Sequence, residues 1–132
     1  MIAKRLALIA SLILMPSIAN ATASLECSGT GDEDVSLLLT LGTAPVLAVV
    51  GGRIDTPTES FAFIANAGET EIIVGQGFTD EGTLSVDFVD PNVETILVSL
   101  RLVRARGDKE LAEAGVLTIR QTEAFAVNCF SG

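Results

Sequence analysis

The sequence predicts an all-β fold, a small antiparallel up-and-down barrel or barrel-like sandwich of about eight strands. Three observations carry this expectation. Several segments alternate apolar and polar residues with period two, the mark of a half-buried strand. Turn-forming Gly, Pro, Asn and Asp recur at roughly 8–12 residue intervals, a rhythm of hairpins and not of βαβ units. The chain has 2 cysteines, Cys27 and Cys129, set near opposite ends of the folded region, so one disulfide would join the termini.

The first element is an export signal over residues 1–23. Lys4 and Arg5 supply its positive start, and Leu6 to Met15 form an uncharged run. That run fits the apolar centre of a signal peptide and falls short of the ~20 residues that span a bilayer. Pro16 and small residues follow, with cleavage expected after Ala21 or after Ala23. Glu26 directly before Cys27 argues against a lipid anchor. Residues 24–132 then make a single β domain, periplasmic or secreted.

A short strand is expected at Leu25–Cys27. Val35 to Leu41 follows, with Val35, Leu37, Leu39 and Leu41 on one face. Pro45 to Val50, Ser60 to Ala65 and Glu71 to Phe78 are rich in Val, Ile and Phe but alternate less cleanly. Thr83 to Val89 sends Leu84, Val86 and Phe88 inward, with Ser85 and Asp87 outward. Glu94 to Val103 is the longest strand, with Ile96, Val98, Leu100 and Leu102 sharing a face. Asp108 to Ala114 is the one helical candidate, with Asp108 as cap and Gly115 as stop. Val116 to Arg120 and Glu123 to Cys129 complete the set, the latter aligning Phe125, Val127 and Cys129. Cys27 is in phase with Leu25, and Cys129 with Val127. The bridge should therefore lie in the core or at its edge and pin the first strand beside the last, which closes a barrel or seals the seam of a sandwich and removes a free edge.

Composition narrows the chemistry. The chain holds no His, Trp or Tyr. That removes His-based nucleophilic triads, the commonest zinc and copper ligand and most aromatic platforms for bases or sugars. With both cysteines in a disulfide, thiolate chemistry is removed as well. No catalytic residue, cofactor or metal is assigned, and a non-enzymatic protein is expected. Acid–base work by paired carboxylates is the one enzymatic reading left open.

Acidic loops raise calcium as a question. Asp32 and Asp34 have alternate spacing, but no bidentate Glu follows at the position an EF-hand needs. Asp87, Asp90 and Asn92 form a second group, in which Asp90-Pro91-Asn92 already reads as a turn. Gly29-Thr30-Gly31 is followed by acids, the wrong field for a phosphate. Gly75-Gln76-Gly77 reads as a strand bulge, and Gly51-Gly52 as a bulge or a close backbone approach.

Charge suggests the kind of partner. The whole chain carries 8 Lys and Arg against 17 Asp and Glu. Without Lys4 and Arg5 six cations face 17 acids, a net of −11. Such a balance repels nucleic acid and anionic membranes, and it fits either plain solubility or a basic protein partner. Four of the six cations, Arg101, Arg104, Arg106 and Lys109, are close together in sequence. Arg104 and Arg106 follow the inward phase of Leu100 and Leu102 and should emerge at a rim. The group is a candidate contact for an anion or partner, or a source of ion pairs to the acids. The expected function is binding, most simply of a basic protein in the manner of an inhibitor. Alternatives are a carrier of a small apolar ligand in the barrel mouth, and an envelope protein with no small ligand.

Overall fold

The structure, a computed structural model, describes residues 22–31, 34–42 and 46–132. The body of the expected signal, residues 1–21, lies outside them. Ten strands form one sheet: β1 (Ala23–Gly29), β2 (Ser36–Leu41), β3 (Val49–Asp55), β4 (Ser60–Ala62), β5 (Thr70–Glu71), β6 (Ile73–Thr79), β7 (Thr83–Val89), β8 (Ile96–Arg106), β9 (Leu111–Ile119) and β10 (Glu123–Ser131).

Strand order makes the sheet a ring. It runs β5-β4-β3-β2-β1-β10-β9-β8-β7-β6, so each strand lies beside its neighbour in sequence and β1 pairs with β10. The two edge strands, β5 and β6, are separated in the chain only by Ile72. A sheet whose two edges are joined by one residue must curl until they meet. Ile72 is fully buried at that seam, and its N–H donates to the carbonyl of Ala62 at 3.1 Å. The result is a nearly closed up-and-down barrel, antiparallel throughout except for the short parallel pair β4·β5.

Cys27 and Cys129 stand directly opposite in the β1·β10 ladder, with Cα atoms 4.0 Å apart, and are joined as a disulfide. Both turn toward the core, as their phase with Leu25 and Val127 predicts. Leu25, Leu39, Ile54, Phe61, Leu84, Val86, Phe88, Leu100 and Leu117 all show 0 % exposure. A side chain with no exposed surface borders no water-sized void, so the middle of the barrel is packed. Each such burial contributes about 1.5–3 kcal/mol.

Several expectations are corrected. The helix at Asp108–Ala114 does not form. Gly107 N–H bonds Glu110 O at 2.8 Å in a turn, and Leu111 onward is strand β9. Seven residues are too few to nucleate a stable helix, whereas β9 finds ladder partners on both sides, in β8 and β10. Gly115 is therefore no helix stop. It sits mid-strand opposite Leu102, where an added Cβ would meet the Arg101 carbonyl oxygen at 1.8 Å.

The first strand is longer than Leu25–Cys27, spanning seven residues with partners on both sides. Of the segment read as Pro45–Val50, Pro45 lies outside the described residues, and the strand runs from Val49 through Gly51-Gly52 to Asp55. The bulge lies beside that glycine pair, with Val50 as the extra residue, and the close approach is at Gly52. The β2·β3 register shifts at Thr40/Leu41, and a Cβ on Gly52 would meet Leu39 at 2.6 Å. Glu71–Phe78 is split at Ile72 into β5 and β6, and Ser60–Ala65 shortens to β4, which raises the count to ten. The bulge at Gly75 is present, where the β6·β7 register shifts between Val74 and Gln76.

Candidate functional site

The four clustered cations do not converge on one face. The pleat sends Arg101 to the outer wall of β8 and Arg104 into the barrel mouth, while Arg106 and Lys109 stand exposed at the rim.

Arg104 is opposite Glu113 in the β8·β9 ladder, both at inward phase. Its Nε donates to Glu113 Oε2 at 3.1 Å, and Nη1 donates to Thr79 Oγ1 at 3.0 Å. Ser131 Oγ donates to the other oxygen of Glu113. The Glu113 side chain is 1 % exposed and that of Arg104 is 17 % exposed. This layer of Thr79, Arg104, Glu113 and Ser131 closes one end of the apolar core with its polar atoms paired. Glu113 carries no signal of this role in the sequence: in Leu111-Ala112-Glu113-Ala114 it resembles a solvated residue of a short helix.

Arg101 is held on the outside. Its Nη2 donates to Asp87 Oδ1 at 2.8 Å, and Gln76 Nε2 donates to Asp87 Oδ2 at 2.8 Å. Asp87 takes the outward phase expected of it but is not solvated. Arg101 and Gln76 cover it, leaving 3 % exposure. Burial pushes its carboxyl up, but hydrogen bonds from Gln76, Ser99 and Arg101 outweigh that and hold it below the usual aspartate value.

Two further ion-pair sites are centred on Arg120 and Arg53. Arg120 grips Glu59 with Nε at 3.0 Å from Oε2 and with Nη2, and its guanidinium lies 5.9 Å from the Phe61 ring centroid. Arg120 and Gln121 both take positive φ, 49° and 58°, as the tight β9–β10 turn requires. Arg53 pairs with Asp55 at 3.0 Å and with Glu69.

Calcium at Asp32 and Asp34 falls partly outside the described residues, since Asp32 is not among them. The second acidic group is occupied within the chain. Asp90 Oδ1 accepts the N–H groups of Glu94 and Thr95 at 2.9 and 2.6 Å, and Oδ2 accepts that of Asn92 at 3.1 Å. The turn reading of Asp90-Pro91-Asn92 is thus met by a carboxylate folded onto its own loop. Asp80 caps the β6–β7 turn in the same way, through Gly82 and Thr83.

Open grooves lie at the mouth. One of about 720 Å³ is lined by Asp80, Glu81, Gly82, Arg104, Arg106 and Leu111. Another of about 370 Å³ lies along Lys109, Glu110, Leu111, Glu113, Phe130 and Ser131. Both mix charges of opposite sign, and neither reaches the packed centre.

These carboxylates make stability acid-sensitive. Hydrogen bonds hold Glu59, Asp80 and Asp90 below their ordinary values, chiefly from Arg120, from the Gly82 N–H and from the Thr95 N–H in turn. In Asp55 burial pushes the other way and is outweighed by Ser60 and Arg53. A carboxyl depressed in the folded state contributes stability above its unfolded pKa, which is lost as pH falls through the folded value. The urea midpoint is expected to hold between pH 7 and about pH 5 and to fall below about pH 4. Asp87→Asn should shrink that fall.

Comparison with protein-family models, with curated proteins and with solved structures finds no match to this chain.

Proposed function

We propose that the chain is an exported, non-enzymatic β protein that acts by binding, with a basic protein as its partner. One observation supports this most. Arg53, Arg101, Arg104 and Arg120 are each held by carboxylates of the same chain, and Arg106 and Lys109 are the other two cations of the described residues. Of the 17 acids, Asp55, Glu59, Glu69, Asp87 and Glu113 serve those pairs, and Asp32 and Glu33 lie outside the described residues. That leaves ten acids of the described residues outside these ion pairs, Asp80 and Asp90 among them as turn caps, against two cations. Internal pairing thus sharpens the acidic surface, and complementary fields speed encounter with a basic protein.

The cross-strand disulfide agrees with an oxidising compartment, and so with export. The carboxylates buried among the described residues, Asp87 and Glu113, are engaged by arginines and not by each other, which favours structural roles over acid–base catalysis. The packed centre weighs against an apolar-ligand carrier, because a ligand would have to displace Leu, Val and Phe side chains.

The disulfide-bonded domain, titrated with lysozyme as a defined basic protein, should bind at 20 mM salt. Its affinity should weaken at least tenfold by physiological ionic strength, as the ~8 Å screening length there implies. Absence of binding at low salt would remove this reading.

A further inference from the structure

In an antiparallel strand that faces water on one side, alternation normally sends polar side chains outward. The outer wall of β8, β9 and β10 departs from that rule. Val103 on β8, Ala112, Ala114 and Val116 on β9, and Ala126 and Phe130 on β10 all turn away from the core and are exposed. The ladders place them side by side, Val103 opposite Ala114 and Val116 opposite Ala126. Val103 and Phe130 keep 66 % and 71 % of their surface exposed. In a chain with 17 acids, no outward position on β9 carries a charge, and β10 adds only Asn128 to its alanines and Phe130. A contiguous apolar area of this kind on a soluble domain marks an interaction face.

We infer that this wall is where the basic partner docks, an inference that rests on the proposed function and gives it a location. Charge decides the occupant. Glu26 lies beside Phe130 in the β1·β10 ladder, and Glu110 and Glu123 stand exposed at the entries to β9 and β10, with Lys109 next to Glu110. Arg101, directly opposite Val116 in the β8·β9 ladder, is already matched by Asp87. A second copy of this chain would set these acids against their own kind and bring two bodies together that each carry a net of −11 once Lys4 and Arg5 are removed. A protein surface with an apolar centre and a cationic surround satisfies both features. The alanines make a low floor that accepts large side chains from the partner, the usual form of an interface anchor.

The test is an amide-resolved NMR titration of the disulfide-bonded domain with lysozyme and with cytochrome c at low salt, repeated on Val116→Glu. Val116 is exposed, so the variant should keep the fold, and its unchanged core resonances check this. Shifts should centre on Val103, Ala112 to Val116 and Ala126, and Val116→Glu should weaken binding at least tenfold. That loss is diagnostic because the added negative charge alone would strengthen attraction to a basic protein. If Val116→Glu binds equally or more tightly, or shifts scatter over the acidic loops, the wall is overturned and the electrostatic reading survives. Wall amides that shift with the protein's own concentration would make the occupant a second copy and overturn the basic partner. If neither probe binds at low salt, the proposed function and the wall fall together.

Discussion

Arg104→Met is expected to cost about 3–5 kcal/mol of folding stability, the usual penalty for stranding a buried charge. Glu113 has a nearly unexposed side chain and keeps only the Ser131 hydroxyl when the guanidinium is gone. The cost comes from leaving a carboxylate in the barrel mouth without its cation, more than from losing the pair itself. The double variant Arg104→Met/Glu113→Leu removes both charges and should recover most of the loss. Urea denaturation of the three proteins measures the difference. A single-variant loss under about 1 kcal/mol, the range of exposed ion pairs, would mean that Glu113 is solvated and that the mouth is not capped as described. Arg53→Met, at a more exposed pair, provides that small-effect reference.

Removal of the disulfide is the second large effect. Cys27 and Cys129 are 102 residues apart, so their bond closes nearly the whole folded chain into one loop. Chain-entropy reasoning assigns a loop of that length about 4–5 kcal/mol, through restriction of the unfolded state. The Cys27→Ala/Cys129→Ala protein should melt about 20 °C lower. The β1·β10 ladder is where the first strand meets the last. Loss of the bond should therefore accelerate hydrogen exchange in β1 and β10 ahead of β7 and β8, which are held by hairpin neighbours close in sequence.

Much of this fold is legible in the sequence because the barrel interior is strictly apolar along its clean strands. Leu37 and Leu39, Leu84, Val86 and Phe88, and Leu100 and Leu102 all point inward as their period-two pattern requires. The phase of Cys27 and Cys129 likewise places the bridge at the core. What the pattern does not reveal depends on partners distant in sequence. Leu111–Gly115 has helical composition and becomes a strand because β8 and β10 flank it. Glu113 looks like a surface residue until the ladder sets it opposite Arg104. The Arg120–Glu59 pair spans 61 residues and forms only across the closed barrel. The cation cluster is legible as a cluster, but a pleated strand divides Arg101 from Arg104 between its two faces, so closeness in sequence does not make a single site.

Both the barrel closure and the proposed export turn on the state of two thiols. The most direct measurement is non-reducing peptide mass analysis of the protein recovered from the exported fraction of cells that express the full chain. One cross-linked peptide containing Cys27 and Cys129, with no free thiol, is the expected result. Free thiols on the exported protein, or either cysteine bound to another molecule, would contradict the closure of β1 onto β10.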